Sequence, residues 1–218
     1  MRPVETRQGY DLWAPSYDST QNPMVAMADF AMDRTLPDVE GREVVELGCG
    51  TGRNFARFLG ASSLVGLDFS EGMLAVARQR HPDVTLVHHD LRHRLPLADG
   101  CCDQAVFSLV LEHVEELGPA LAEACRIVRA GGAVYLCEMH PFLALQGTGA
   151  HFRHQDGELR LPTWPHQCGD FVRAGVEAGL RVAAMHDWKP TPEVERIQPK
   201  VARHRGVPML LTVLLLRP

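Results

Sequence analysis

The residues whose types and spacing are best suited to chemistry lie in a glycine-rich turn. Residues 44–52 read VVELGCGTG, so that an apolar run leads into Gly48, Gly50 and Gly52. The apolar run predicts a buried strand, and residues 53–59 after the turn predict a helix. Backbone N–H groups at such a turn point at open space, and glycines let a ligand approach them without a Cβ in the way. The turn therefore indicates a ligand-binding site.

The spacing of the glycines argues against two kinds of nucleotide site. A dinucleotide fingerprint, G-x-G-x-x-G, requires a third glycine where Arg53 stands. A phosphate-binding P-loop requires a lysine followed by serine or threonine, and the turn contains no such pair. The ligand therefore need not carry phosphate. A tight turn without any ligand is the alternative, although it would not need the conformational entropy that alternating glycines cost.

Two acidic residues follow predicted strands further along the chain. Asp68 ends the apolar segment 64–67, and Asp90 comes after the predicted strand 84–87. In open α/β sheets ligands lie outside the carboxyl ends of the strands, where an acid can accept hydrogen bonds from a ribose diol. NAD-binding folds use the same arrangement, so Asp68 alone does not decide the ligand. A buried Asp90 needs a donor, either from a ligand or from the turn that it caps.

Several segments resemble the class I S-adenosyl-L-methionine (SAM) dependent methyltransferases. Glu46 and the three glycines fill motif I of that family, E/D-x-G-x-G-x-G. Residues 68–77 resemble the family's D-x-S-x-x-M-L-x-x-A run, and residues 95–103 resemble its L-P-F-x-D-x-x-F-D turn, with Cys102 in place of the second phenylalanine. Residues 10–18 are similar to the Y-D-x-x-A-x-x-Y-D start of small-molecule methyltransferases of ubiquinone and menaquinone biosynthesis.

The resemblance implies SAM as the cofactor and S-adenosyl-L-homocysteine as its product. It implies that Glu46 works near the methionine ammonium, that Asp68 binds the ribose, and that Asp90 and the Leu91 N–H bind the adenine. The full set of cofactor-binding residues that it implies is Tyr10, Tyr17, Glu46, Gly48, Cys49, Gly50, Asn54, Asp68, Phe69, Met73, Asp90, Leu91 and Ser108. The alternative for the two tyrosines is that they only pin a loose terminus to the domain.

The resemblance also implies an α/β fold, a Rossmann-like doubly wound sheet of seven strands that is mostly parallel with an antiparallel C-terminal strand. A chain of 218 residues is predicted to form one domain. Within it, residues 1–36 are the expected N-terminal lid, and residues 141–168, the least regular part, are the expected roof of an acceptor pocket. The sequence pattern further predicts helices at 23–36, 71–80, 119–129 and 169–178, and strands at 103–108, 133–137, 180–185 and 209–216.

Histidines supply the candidate catalytic bases. An imidazole can take a proton from a hydroxyl or a ring nitrogen near neutral pH, and His140 and His166 are the expected candidates. The resemblance to the family's L-x-H-V segment adds His113, which it implies to lie near the SAM methionine or the acceptor. Surface histidines without a catalytic role are the alternative. His140, His151, His154 and His166 fall within 27 residues, but their spacing matches no common zinc pattern, so no metal is expected.

The overall composition indicates a cytoplasmic protein with a small partner. A net charge of −5 and an isoelectric point of about 6.1 disfavour binding to nucleic acid by bulk charge. No apolar run reaches the ~18 residues that a membrane span needs. Six scattered cysteines without a C-x-x-C motif are typical of reduced thiols. The expected partner is a small-molecule acceptor, without nucleic acid or membrane, and a homodimer is common among relatives.

The sequence therefore predicts a SAM-dependent methyltransferase that moves a methyl group to an oxygen or nitrogen of a small molecule, in cofactor or secondary metabolism. Two alternative functions would also bind SAM: an enzyme that catalyses a non-methylating rearrangement or cyclisation, and a non-catalytic SAM-binding subunit. An NAD enzyme is disfavoured by Arg53. A nucleic-acid amino-methyltransferase would carry a D/N-P-P-Y/F motif after the strand 103–108, and residues 108–110 do not match it.

Overall fold

A computed structural model describes residues 1–155 and 157–218. Asp156, inside the predicted pocket roof, lies outside the described residues. The strands are β1 (Arg2–Pro3), β2 (Glu43–Leu47), β3 (Ser63–Asp68), β4 (Thr85–His88), β5 (Cys102–Ser108), β6 (Val128–Met139), β7 (His151–His154), β8 (Gly157–Arg160), β9 (Arg181–Trp188) and β10 (Leu210–Leu216). The α-helices are α1 (Thr6–Trp13), α2 (Pro23–Thr35), α3 (Glu71–Arg80), α4 (Leu117–Ile127), α5 (Pro141–Leu145), α6 (Cys168–Glu177) and α7 (Pro192–Ile197). Among the helices so described, none combines the length and the apolar character that crossing a membrane requires.

The main sheet has seven strands in the order β4-β3-β2-β5-β6-β10-β9. The strands β4, β3, β2, β5 and β6 pair in parallel, and β10 runs antiparallel between β6 and β9. The predicted doubly wound sheet with an antiparallel last strand is thereby confirmed. The strand order reverses between β2 and β5, and such a switch point opens a crevice outside the carboxyl ends of the strands.

Helices cover both faces of this sheet, and successive residues of a strand point to opposite faces. On β2, Val45 and Leu47 pack into the apolar layer that includes Leu121 of α4. Val44 packs into the other layer, which includes Met27 of α2. A parallel strand that is covered on both faces is usually apolar throughout, and β2 departs from that pattern at the buried Glu46.

The predicted helix at 53–59 is wrong in length. Residues of this segment form only one 3-10 turn, Phe55–Phe58, and β3 begins again at Ser63. The backbone hydrogen bonds there join residues three apart, from the Phe55 N–H to the Gly52 carbonyl and from the Arg57 N–H to the Asn54 carbonyl, which is the 3-10 pattern.

The predicted helix at 119–129 is displaced, because α4 ends at Ile127 and Val128 already belongs to β6. Gly131, with φ +80°, lies within that strand and does not cap the helix. A Cβ on Gly132 would meet the Asp103 carbonyl oxygen at 2.5 Å. Gly132 therefore lets β6 pass close to β5.

The predicted pocket roof is more regular than the sequence indicated. Within residues 141–168, β7 and β8 form an antiparallel hairpin, and β1 adds to β8 in parallel. The indole ring of Trp13 in α1 stacks on the ring of Phe152 in β7, with centroids 4.8 Å apart. The N-terminal segment and the insertion therefore form one packed unit.

Two acidic side chains tie the N-terminal segment to α3. Asp11 Oδ1 accepts from Ser70 Oγ at 2.6 Å and from the Gly72 N–H at 2.9 Å. These groups lie at the N-terminus of α3, where the helix dipole favours a negative charge. Asp18 forms an ion pair with Arg80 in the last turn of the same helix. In both Tyr-Asp pairs, Tyr10-Asp11 and Tyr17-Asp18, the aspartate thus holds the N-terminal segment against α3.

Candidate active site

A pocket opens at the carboxyl ends of β2, β3 and β5, where the order of the sheet reverses. We call it the strand-tip pocket. Every predicted cofactor-binding residue except Glu46 lines it, and so does His113. The lining residues that the sequence did not single out are Glu5, Thr6, Thr51, Arg53, His89, Arg92, Leu109, Val110 and Val114.

The three glycines of the turn have φ values of 80°, 53° and 71° in chain order, and they serve different purposes. A Cβ on Gly48 would meet the Val110 side chain at 2.4 Å, and a Cβ on Gly52 would meet the Phe55 ring at 2.7 Å. A Cβ on Gly50 would meet no described atom within 4 Å. Only Gly50 therefore leaves the backbone bare for a ligand, while the other two allow close packing.

Asp68, at the end of β3, holds the glycine turn against the start of α3. Its Oδ2 accepts from the Gly50 N–H at 2.8 Å, and its Oδ1 accepts from the Ser70 N–H at 2.9 Å. Burial raises the pKa of Asp68 to about 6, although the hydrogen bonds from Ser70 and Gly50 act in the opposite direction. Each carboxylate oxygen can accept a further hydrogen bond, so Asp68 can still receive donors from a ligand.

Glu46 is fully buried on β2 and does not itself line the pocket. Its Oε1 accepts from Asn54 Nδ2 at 2.6 Å, whereas its Oε2 has no hydrogen-bond partner among the described residues. Burial raises the pKa of Glu46 to about 7, against the opposing effect of the Asn54 hydrogen bond. Asn54 lines the pocket, and Glu46 lies behind it. The sequence analysis had instead listed Glu46 among the residues that face the cofactor. A buried carboxylate oxygen without a donor is costly, so a donor group on a ligand would lower that cost.

Asp90 has a partner that the sequence did not anticipate. Arg92 donates from Nε to Oδ1 at 3.0 Å and from Nη2 to Oδ2 at 2.6 Å. Burial alone would raise the pKa of Asp90, but the hydrogen bonds from Arg92 lower it below its ordinary value. A ligand amine would therefore share this carboxylate with a guanidinium.

A second cavity, of about 560 Å³, shares Tyr10, Tyr17 and Leu109 with the strand-tip pocket. Its other walls come from the N-terminal segment, the β7–β8 hairpin and residues 200–209. Ligands in the two spaces would contact the same three side chains. We refer to these three side chains as the common wall.

The loop after β5 is strained at the common wall. Leu109 has φ 56°, and no other non-glycine residue in the described ranges has a positive φ. The left-handed conformation costs such a residue about 1–2 kcal/mol, and strain of this kind clusters at functional sites. The Glu138 carboxylate holds the loop, because Oε2 accepts from the Val110 N–H at 3.1 Å and from the Leu111 N–H at 3.2 Å.

Tyr10 and His113 connect the N-terminal segment to this loop. The Tyr10 hydroxyl lies 2.8 Å from His113 Nε2, and His113 Nδ1 lies 2.8 Å from the Pro162 carbonyl oxygen. A carbonyl only accepts, so Nδ1 carries the proton, and Nε2 of the neutral ring accepts from the tyrosine. Burial raises the pKa of Tyr10 well above its ordinary value, which keeps that hydroxyl protonated. Both nitrogens of His113 are therefore engaged.

Glu112 is a candidate that the sequence reasoning missed. It lines the second cavity, and its Oε2 is shielded from solvent and has no hydrogen-bond partner among the described residues. Burial raises the pKa of Glu112, against the opposing effect of His113. A carboxylate of this kind is suited to accept a hydrogen bond or a proton from a ligand. Its position directly before His113 was the one signal that could have found it.

The structure places the other two predicted bases away from both spaces. His140 Nδ1 accepts from the Phe142 N–H at 3.0 Å, so Nε2 carries the proton and donates to Asp187 Oδ1 at 3.1 Å. His166 Nε2 lies 2.7 Å from the Val114 carbonyl oxygen and donates to it. Neither histidine lines the strand-tip pocket or the second cavity. A catalytic role for either stays a prediction that these contacts do not support.

Within the described residues, His140, Cys168 and Asp187 bring potential metal-ligand atoms within 4.8 Å of one another. A metal would need the Nε2 lone pair of His140, yet Nε2 carries the proton because Nδ1 accepts from Phe142. A ring that accepts at both nitrogens would be an imidazolate anion. The trio therefore does not fit a metal ion, and the expected absence of metal stays a prediction.

Comparison with known proteins identifies the family. The family described as "Methyltransferase domain" matches residues 45–136. A demethylmenaquinone methyltransferase of Streptomyces avermitilis is 32% identical over 205 residues, which cover 90% of this chain and 85% of that enzyme. The chain belongs to the class I SAM-dependent methyltransferases. The resemblance on which the sequence analysis rested is thus confirmed.

Other methyltransferases match over different lengths. The demethylmenaquinone methyltransferase of Renibacterium salmoninarum is 35% identical over 147 residues, and the match spans 64% of this chain but only 61% of that enzyme. A SAM-dependent methyltransferase of Mesorhizobium loti has a similar structure, with a TM-score of 0.74 and 26% identity. That likeness covers 90% of this chain and 100% of the neighbour.

The cofactor of this family is SAM, and the strand-tip pocket of this chain fits it. Gly50 leaves free space where a Cβ would stand, and Glu46 Oε2 has no donor among the described residues. Asp68 retains acceptor capacity at the same edge of the sheet. The ammonium and ribose hydroxyls of SAM are donors, so they complement these acceptors. The individual contacts stay predictions.

Proposed function

We propose that this chain transfers the methyl group of SAM to an oxygen or nitrogen of a small-molecule acceptor in the second cavity. The common wall of Tyr10, Tyr17 and Leu109 is the observation that carries the proposal, because it brings the two spaces together. A displacement reaction needs its reacting groups held in near contact and in line. Two adjoining pockets, one for each reactant, meet that need.

The proposal assigns residues 1–36 to the lid and residues 141–168 to the roof of the acceptor pocket. Trp13 from the first segment and Phe152 from the second both line the second cavity, and they stack on each other. Pairing of β1 with β8 joins the same two segments. Lid and roof would therefore move together when the cavity opens.

Bound SAM would supply a methyl group on a sulfonium, which is already a strong electrophile. The protein's task is then alignment and the exclusion of water. In this proposal Asp68 accepts from the ribose, and Glu46 with Asn54 receives the methionine ammonium. Asp90 and the Leu91 N–H bind the adenine. Positive charge beside Glu46 would offset the cost of its burial in the ionised form.

We assign the acceptor's proton to Glu112. The acceptor's oxygen or nitrogen would use a lone pair to bond the methyl carbon while the carbon–sulfur bond breaks, with that electron pair staying on the sulfur of S-adenosyl-L-homocysteine. The acceptor's own proton would move to the Glu112 carboxylate, and the electron pair of the broken O–H or N–H bond would stay on the acceptor. His113 is less suitable, because Tyr10 and Pro162 engage both ring nitrogens. The raised pKa of Glu112 brings it closer to neutrality, where a general base is most effective.

The place of the reaction in metabolism is also part of the proposal. Relatives named demethylmenaquinone methyltransferase support cofactor or secondary metabolism. A small acceptor agrees with a chain whose net charge is −5, which disfavours a polyanionic substrate. The cytoplasmic location and the homodimer stay predictions.

The test is incubation of the protein with methyl-labelled SAM and a panel of phenols, hydroxy acids and amines, followed by mass spectrometry. We expect one acceptor to gain a labelled methyl group, with an equal amount of S-adenosyl-L-homocysteine. A product with the mass of its substrate but a new structure would favour the non-methylating alternative. Tight SAM binding without any turnover would favour the non-catalytic subunit, and no SAM binding at all would contradict all three.

A further inference from the structure

Three exposed basic side chains line the second cavity. Arg153 comes from β7, and Lys200 and Arg203 come from the 3-10 helix before β10. None of the three forms an ion pair with a carboxylate of the described residues. Some basic side chains elsewhere do have such partners, as Arg126 has Glu123 at 2.7 Å. Three cations without a direct carboxylate contact therefore gather around this space.

Arg203 is held by an uncharged partner. Its Nε donates to His204 Nε2 at 3.0 Å, so the imidazole serves as the acceptor. Burial, and then the positive charge of Arg203, lowers the pKa of His204, which keeps that ring neutral. The guanidinium charge thus stays available to a ligand.

The acidic side chains of the cavity cancel only part of this charge. Glu158 stands opposite Arg153 in the register of the β7–β8 hairpin, and its Oε1 lies 3.7 Å from His151 Nε2. Glu112, which the proposed function uses as a carboxylate, is the other acid of the lining. Two acids face three cations, so the cavity keeps an excess of positive charge inside a protein whose net charge is −5. Cavities of one sign with walls of low dielectric constant focus their field on a ligand.

The rest of the cavity wall is apolar. Trp13 and Phe152 stack with their ring planes at 8°, and Met139, Leu143 and Met209 are buried beside the cavity. Apolar walls with a few charged groups bind an apolar body and fix its orientation through its polar group.

We propose that the methyl acceptor is an organic acid, with an apolar body against these walls and a carboxylate or phosphate bound by Arg153, Lys200 and Arg203. The inference rests on the proposed function and names the class of its acceptor. The acidic group is distinct from the methylated atom, which lies at the common wall with the strand-tip pocket.

Calorimetric titration of the protein loaded with S-adenosyl-L-homocysteine tests directly whether the second cavity prefers an organic acid. The probes are hydroxynaphthoate, naphthyl phosphate and the uncharged hydroxynaphthamide. An exposed ion pair is worth up to about fivefold in affinity, so three cations should favour at least one acid over the amide by about tenfold at low salt. The preference should shrink at high ionic strength. Equal or tighter binding of the amide overturns the proposal, and so does the absence of binding by both acids.

The two lysines of the chain provide a matched pair of variants. Lys189 is exposed and lines neither the strand-tip pocket nor the second cavity. Lys200→Gln should weaken binding of the acid by about threefold to fivefold and leave the amide unchanged, whereas Lys189→Gln should change neither. The double variant Lys200→Gln/Arg203→Gln should lose most of the preference. An acid preference that survives the double variant, or that falls equally in Lys189→Gln, contradicts the assignment.

Separate measurements distinguish failure of this inference from failure of the proposed function. If SAM binds and only uncharged acceptors are methylated, the acid class is wrong and the methyl transfer stands. If SAM does not bind, the proposed function fails whatever the acids do.

Discussion

Replacement of Glu46 by glutamine should stabilise the ligand-free protein above neutral pH and at the same time weaken SAM binding. Glu46 is fully buried, and its Oε2 has no partner among the described residues. Burial raises its pKa from the ordinary 4.5 to about 7. Each pKa unit corresponds to about 1.4 kcal/mol, so the ionised side chain costs the folded state roughly 3 kcal/mol.

This cost has a defined pH window. A carboxyl group with a raised pKa in the folded state binds its proton more tightly there than in the unfolded chain. The free energy of unfolding therefore falls as the pH rises from 4.5 to about 7 and changes no further above that range. Glutamine does not titrate, so Glu46→Gln removes this contribution. The stability of the variant minus that of the wild type should increase by roughly 3 kcal/mol between about pH 4 and about pH 9.

Urea unfolding of the ligand-free protein across this range measures the difference, with Glu115→Gln, at an exposed position, as the control. SAM titration of the same variants should show a loss of about 1.5–3 kcal/mol for Glu46→Gln, the value of a hydrogen bond to a charged group. A variant less stable than the wild type at high pH would refute the reasoning, because Oε2 would then have lost a good partner. A more stable variant with unchanged SAM affinity would remove Glu46 from the cofactor site.

Three further predictions concern the same pockets. Asp68→Asn should weaken SAM binding in a calorimetric titration by roughly 1.5–3 kcal/mol, and an unchanged affinity would take Asp68 out of the site. Gly50→Ala places a Cβ in open pocket space at φ 53°. It should lower the unfolding free energy by about 1–2 kcal/mol and also weaken SAM binding, so wild-type affinity would show that no ligand approaches there. Tyr10→Phe removes the 2.8 Å contact with His113. Loss of about 1 kcal/mol should speed hydrogen exchange in α1, and unchanged exchange would mean that aromatic stacking alone holds the segment.

The strand-tip pocket was predictable from the sequence because each of its parts is local. Gly50, Asp68 and Asp90 each lie at or just beyond the end of a strand, and parallel strands carry their carboxyl ends to one edge of the sheet. The apolar run of β2 and the Ser70 cap of α3 likewise need only neighbouring residues. Local pattern and motif therefore determined the fold class and most of the residues that line this pocket.

The second cavity, which we propose as the acceptor pocket, could be found only from the tertiary structure. Glu112 matters because a cavity forms in front of it, and that cavity exists because β1 pairs with β8 and carries Trp13 onto Phe152. The positive charge there comes from Arg153 and from residues nearly fifty positions later, which no sequence spacing brings together. Periodicity reports which face of an element is apolar, but it carries no information on which distant loops meet. Burial likewise depends on the tertiary structure. Glu46 lies behind Asn54 with one oxygen lacking a donor among the described residues because the sheet and its helices enclose it.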